Sequence, residues 1–284
     1  MVSSRVLGTL IPDDDARHTT VVSRNGKVGD SPRMTRPDRP LGPDRVATWR
    51  HPWPVRLTHW VNVICLVFLL MTGMQILKAH PHLYWGLDST FDDAWLSFGT
   101  IPGWMTLPGY RDLAAGRNWH FFFAWIFVAN GMIYLLYILF SGRLARMMEP
   151  SREELAHIPD SVVEHAKLKF PEGEAARTYN VIQKLTYLVV LLILLPMMLV
   201  TGLGMSPMMN AAIPELLPIL GGRQSARTLH FIAAMGITGF AVVHVLLVFL
   251  SGPLNNLRSM VTGWYVIRTE PAPSEETSDD RDPS

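Results

Sequence analysis

Polar and apolar positions separate into long blocks along this chain. Asp, Glu, Lys and Arg are absent from four stretches: Leu57–Leu77 (21 residues), Asn118–Gly142 (25), Leu185–Pro214 (30) and Thr228–Leu257 (30). Each holds a core of about 20 mainly apolar residues, the length that crosses a ~30 Å hydrocarbon layer at 1.5 Å per residue. The predicted spans are Val55–Leu77, Trp119–Phe140, Val181–Leu203 and Leu229–Leu250. In lipid each backbone polar group must bond within its own segment, so the spans are helices. The pattern predicts an all-α integral membrane protein, a four-helix transmembrane bundle over 49–265. Pro196 predicts a kink in the third helix. Residues 1–48 and 266–284 lack an apolar core and are expected to be disordered tails. No secretory signal pattern and no repeat of 20–50 residues is apparent.

Charge sets an orientation. An even number of crossings puts both termini on one side. Twenty Lys or Arg fall on the termini side and five on the other, the 141–178 loop with Lys184 contributing seven. The positive-inside rule then makes both termini cytoplasmic, in a bacterial inner membrane. With 25 basic and 24 acidic residues the net charge is +1, which leaves no basic excess for nucleic acid. The single cysteine, Cys65, excludes a disulfide framework, a thiolate-held metal cluster within this chain, and covalent haem attachment through CxxCH. Its simplest role is as a small apolar filler. The 78–117 loop is rich in Trp and Tyr and reads equally as an interfacial cap or a docking surface. Ser151-Arg-Glu-Glu154 is a capping-box pattern that starts a short helix or lies in a solvated connector.

Four of ten histidines lie in or at the edge of the spans: His59, His120, His230 and His244. An ionisable side chain at membrane depth is a functional hypothesis by default. His230 and His244 are 14 residues apart on the fourth helix, so both rings project from nearly one face, about 21 Å apart along the axis. That separation forbids a shared metal ion. Topology puts His59 level with His244 near the termini, and His120 level with His230 at the opposite end. Two inter-helix pairs of neutral imidazoles suit the axial positions of two b haems stacked across the membrane. Gly73, Gly131, Gly202, Gly236 and Gly239 would let a flat macrocycle approach backbone, or simply allow close helix packing. His18, His51, His80, His82, His157 and His165 lie in tails or loops and read as solvated.

Arg56 and Arg117 each precede a ligand candidate by three residues, one turn toward water, and would contact haem propionates or serve as positive flanks. Tyr179, Asn180, Gln183 and Lys184 cluster at the termini-side mouth of the third helix. Asn180 and Gln183, at i and i+3, share a face and either hydrogen-bond a quinone carbonyl or cap the helix at the interface.

These residues resemble the four-helix di-haem cytochrome b subunits of hydrogenase, formate dehydrogenase and thiosulfate reductase complexes, the last most closely. The carrying motifs are Arg56-Leu-Thr-His59-Trp60 with Thr72-Gly73, Trp119-His120-Phe121, Tyr179-Asn180-Val-Ile-Gln183-Lys184 with Thr201-Gly202, and Ala226-Arg-Thr-Leu-His230-Phe231 through His244. The resemblance covers about Arg50–Tyr265. It implies that the four histidines ligate two haems in the pairs above, and that Asn180 and Gln183 line a pocket for menaquinone or ubiquinone. Ile182 stands where the formate dehydrogenase type carries glycine. The resemblance also implies a catalytic oxidoreductase partner, of molybdopterin or similar type and on the far side of the membrane, with or without an iron–sulfur subunit.

The expectation is therefore a membrane-anchoring b-type cytochrome subunit that moves electrons between the quinone pool and a partner enzyme. Two alternatives stay open: a self-contained di-haem cytochrome exchanging electrons between quinone and a small substrate such as superoxide, and a haem-free transporter or scaffold. Intramembrane Asp or Glu would favour the transporter, and the four charge-free stretches contain none.

Overall fold

A computed structural model describes residues 36–90, 92–142 and 181–268, with the backbone alone described at 181–184. Four helices are long and apolar enough to cross a membrane: Trp53–Ala79, Leu113–Phe140, Leu185–Met205 and Arg223–Leu250. The first, second and last are α1, α2 and α7. The third is built from α3 (Val181–Val189), a π-helical segment (Val190–Leu194) and α4 (Leu195–Met205). Two short helices, α5 (Pro207–Ala212) and α6 (Leu216–Ile219), lead into α7, and α8 (Pro253–Thr262) follows it.

Helices α1, α2 and α7 begin earlier than the apolar pattern predicts. In α2 and α7, Arg117, Arg223 and Arg227 lie in the opening turns, where the charge-free criterion trims them although the backbone is already helical. At α2 the start is set by Asp112, whose carboxylate accepts from the Ala115 N–H at 2.9 Å. The expected irregularity at Pro196 takes the form of the π segment just before it. The proline ring crowds the carbonyl four residues back and supplies no N–H, so the preceding turn widens.

Polar side chains are buried among apolar ones between the helices, while many large apolar side chains face outward. Thr58, Thr72, Gln75, Asn130, Thr201 and Thr228 are buried, whereas Val67, Ile133, Leu192 and Val242 are exposed. Against lipid the apolar faces need no protein cover, and hydrogen bonds with small residues hold the helices together. Helix α1 packs along α2, and α4 packs along α7, giving two hairpins.

The hairpins are pinned to each other at both ends. At the loop end, the segment after α1 folds over the start of α7. The Gly86 carbonyl accepts from the Gln224 and Ser225 N–H groups at 3.0 and 3.2 Å, and the Gly86 N–H donates to Ser225 Oγ at 2.8 Å. These bonds satisfy amides that a helix start leaves unpaired. Gly222 makes the approach possible: its φ is +104°, and a Cβ there would lie 2.5 Å from the Gly86 carbonyl oxygen. Within the loop, β3 (His82–Leu83) pairs with β4 (Leu96–Ser97), and Trp85 lies 5.6 Å from Trp95.

At the termini end, β1 (Arg39–Gly42), β2 (Arg45–Trp49) and β5 (Trp264–Arg268) form an antiparallel sheet in the order β1-β2-β5. Two expectations are corrected here: the tails taken as disordered through 48 and from 266 both contribute strand residues. The pairing joins segments more than 200 residues apart, and no local pattern reports it. Trp49 and Trp264 meet edge-on at 5.1 Å, with Arg36 and Arg39 stacked on their faces. From α1, Arg56 donates to the Val261 carbonyl and Trp60 Nε1 to the Met260 carbonyl at 3.1 Å. These side chains cap the last turn of α8, where carbonyls lack helical partners and a cation is favoured. The 151–159 segment lies outside the described residues.

Candidate haem centre

The two hairpins face each other through histidines at two levels. At the loop end, the His120 and His230 ring centroids are 6.3 Å apart with planes at 62°. At the termini end, His59 and His244 are 6.4 Å apart at 60°. A metal–imidazole bond is about 2 Å, and a ring centroid lies roughly 1 Å behind its ligating nitrogen, so two imidazoles trans on one metal have centroids about 6 Å apart. Both pairs match that separation, and both are too wide for direct hydrogen bonding between rings.

Hydrogen bonding fixes the tautomer at the loop end. Thr72 Oγ1 donates its one hydrogen to the Phe68 carbonyl at 2.7 Å, so it can only accept from His120 Nδ1, 3.0 Å away. His120 Nδ1 therefore carries the proton, which leaves the Nε2 lone pair for a metal. The arrangement recurs in the second hairpin. Thr201 Oγ1 donates to the Met197 carbonyl at 2.6 Å and accepts from His230 Nδ1 at 3.0 Å. The glycine after each threonine admits the ring. A Cβ on Gly73 would lie 3.5 Å from His120 Cε1, and one on Gly202 would lie 3.5 Å from His230 Cε1. A Thr-Gly step on one helix thus seats a histidine on the next helix, once per hairpin. The repeat escapes a fixed-period search because the threonines are 129 residues apart and the histidines 110.

The termini-end pair is held differently. His59 Nδ1 is buried and meets no hydrogen-bond partner among the described residues. His244 stacks on Phe240 at 5.8 Å and 21°, and Phe240 lies edge-on to Tyr187 at 6.0 Å. Beside His59 the backbone is braced: Asn130 Nδ2 donates to the Thr58 carbonyl at 2.8 Å and to Asn62 Oδ1 at 2.7 Å. Neither Thr72, Thr201 nor Asn130 stood out as a site residue in the sequence. The Thr-Gly dipeptides were visible as motif, but their role depends on which helix lies opposite.

Among the other expected residues, Arg56 holds the α8 carboxyl end while its Nε stays buried without a partner. Arg117 is exposed and lies over Phe121 of its own helix at 5.8 Å. Gly236 packs on Leu194 of the π segment, with a Cβ there 3.2 Å from Leu194 Cδ2. Gly131 and Gly239 have nothing within 4 Å of an added Cβ, so they leave open space. Asn180 lies outside the described residues, and of Gln183 only the helical backbone is described. No group of three or more His, Cys, Asp or Glu side chains that could hold a metal ion is found among the described residues.

Residues 50–263 match the prokaryotic cytochrome b561 family, an interval that takes in all four spans. A relative described as a putative protein-methionine-sulfoxide reductase subunit, from Azospira oryzae, is 31% identical over 200 residues, which is 70% of this chain and 90% of the relative. The chain belongs to the prokaryotic cytochrome b561 family. No solved structure matches it. As a member of that family it is a multi-pass membrane haem protein of electron transfer. The donor set fits a b haem: each facing pair offers two imidazoles, and at the loop end hydrogen bonds on Nδ1 leave the opposite ring nitrogens free for a metal.

Proposed function

We propose that this cytochrome binds two b haems, one between His120 and His230 and one between His59 and His244, and serves as the membrane subunit that exchanges electrons between quinone and a separate catalytic oxidoreductase. The observation that carries the reading is the equal separation of the two histidine pairs, 6.3 and 6.4 Å. When bound, haem iron supplies one-electron exchange between its ferric and ferrous states. The chain's own residues do the rest. Thr72 and Thr201 hold Nδ1–H of the loop-end rings and keep each Nε2 available. Phe240 orients the His244 ring, and Asn130 steadies the backbone that carries His59. Arg56 Nε, buried one turn from His59, is the donor at that end for a haem propionate. Arg117 is the weaker candidate because its guanidinium lies over an exposed Phe121.

Asn180 and Gln183 form the quinone site, near the termini end of the third span. Both termini are cytoplasmic, so the partner docks at the loop end, from the far side of the membrane. The name of the Azospira relative makes a methionine-sulfoxide-reducing enzyme the partner class to test first, ahead of the molybdopterin-type enzyme or iron–sulfur subunit that the resemblance implies.

The test is reduction by a quinol analogue. The purified chain in lipid nanodiscs should reduce its haem absorbance bands on addition of menaquinol or ubiquinol. Asn180→Ala should slow this at least several-fold with haem content unchanged. An unchanged rate would return Asn180 and Gln183 to a capping role. Full turnover of a small substrate by the chain alone, with no co-purifying enzyme in mild detergent, would favour the self-contained cytochrome.

A further inference from the structure

We propose that Arg227 and Tyr84 form a carboxylate-binding site at the loop end of the bundle, taking a propionate of the porphyrin held between His120 and His230; the proposal rests on the haem reading above.

Arg227 precedes His230 by three residues on α7, so it lies one turn, about 4.5 Å along the axis, toward the loop end. It is half-buried. Its Nη2 donates to the His80 carbonyl and its Nη1 to Gln224 Oε1 at 3.4 Å. No carboxylate neutralises it: the salt bridge found among the described residues is Arg45 with Asp44. Tyr84 is 2% exposed, and its ring lies 5.8 Å from the ring of His80, the residue whose carbonyl accepts from Arg227. The Tyr84 backbone is fixed by Thr228, whose hydroxyl donates to the Tyr84 carbonyl at 2.6 Å. Yet the Tyr84 hydroxyl meets no hydrogen-bond partner among the described residues.

A buried phenol without a partner is costly, and so is a half-buried guanidinium without an acid. Both lack the same thing, an anionic acceptor. A carboxylate satisfies them together, accepting from the phenol O–H and from the guanidinium fork. A porphyrin between His120 and His230 carries two carboxylates that must leave the hydrocarbon, and this cation is one turn from the ligand on its water side. Arg117, at the same sequence offset from His120, is exposed over Phe121.

The experiment follows haem transfer from the full-length, lipid-reconstituted protein to a scavenging apoprotein. Two phases are expected, and the loop-end phase is the one missing in His120→Ala. Tyr84→Phe keeps the ring and removes the hydroxyl; it should speed the loop-end phase roughly tenfold, the loss of one charge-assisted hydrogen bond. Arg227→Gln should do at least as much and lower the midpoint potential of that haem, because a nearby cation favours the reduced iron. Arg227→Lys should restore most of the potential. With protohaem dimethyl ester in place of protohaem, the Tyr84→Phe penalty should vanish. Equal effects on both phases, no effect on either, or a penalty that persists with the diester would overturn the proposal. A wild-type protein without haem would instead remove the reading on which it rests.

Discussion

The loop-end and termini-end histidine pairs share a separation but not a means of support. At the loop end each ring is held by a threonine hydroxyl and is bordered by the glycine that follows the threonine. At the termini end His59 Nδ1 has no partner among the described residues, and His244 is oriented by an aromatic face. The same side chain is therefore held in two ways, one by directional hydrogen bonds and one by packing. Hydrogen bonding to the distal nitrogen raises ligand basicity and fixes ring orientation. The loop-end centre should accordingly be the more sharply defined of the two, and the termini-end centre the more adaptable.

The comparison breaks most directly when a ligand is removed. His120→Ala and His59→Ala should each halve the haem content, and spectra should show that different haems are lost. Loss of the same haem from both would overturn the pairing. Thr72→Val and Thr201→Val come next. Each removes the acceptor for a ring Nδ1–H at nearly constant volume, and should weaken retention of the loop-end haem by 10- to 100-fold, a range typical of such supporting contacts to metal ligands. Serine at either position should restore retention. If valine affected both haems alike, the distinction between the two modes of support would fail.

A smaller effect is expected from Phe240→Leu, which takes the stacked face from His244. It should broaden the low-spin electron paramagnetic resonance signal of the termini-end haem and leave the loop-end signal unchanged. An unchanged termini-end signal would mean that the stacking does not orient the ring. Smallest of all should be Gly73→Ala. Its Cβ would meet His120 at an ordinary 3.5 Å, so both haems should stay bound with at most a slight shift in the loop-end spectrum. Loss of haem from Gly73→Ala would show that the space beside the ring is tighter than this contact implies.

How much of this was legible in the sequence follows the range of the interactions involved. The four spans and the two histidine levels came from local signals, charge-free length and a 14-residue interval that keeps one helical face. The pairings also followed, because four crossings leave few ways to match depths. Thr72 and Thr201 could not be assigned, since a threonine in an apolar helix usually bonds its own backbone, and each of these does that as well. Only the neighbouring helix reveals the second bond. Arg227 sits at the same three-residue offset from His230 as Arg56 and Arg117 do from their histidines, so a sequence signal existed for it. Tyr84, 146 residues before His230, carried none. The β1-β2-β5 sheet was invisible for the same reason: Trp49 and Trp264 find each other only after the bundle brings the chain ends together.

The central claim is that four imidazoles hold two irons. The measurement that tests it most directly is haem per polypeptide on the purified full-length chain, taken with reduced-minus-oxidised spectra and low-temperature electron paramagnetic resonance. Two b haems per chain, both low-spin with bis-imidazole signatures, are predicted. A ratio of one or zero after expression with ample haem, or a high-spin iron with an open axial position, would contradict it.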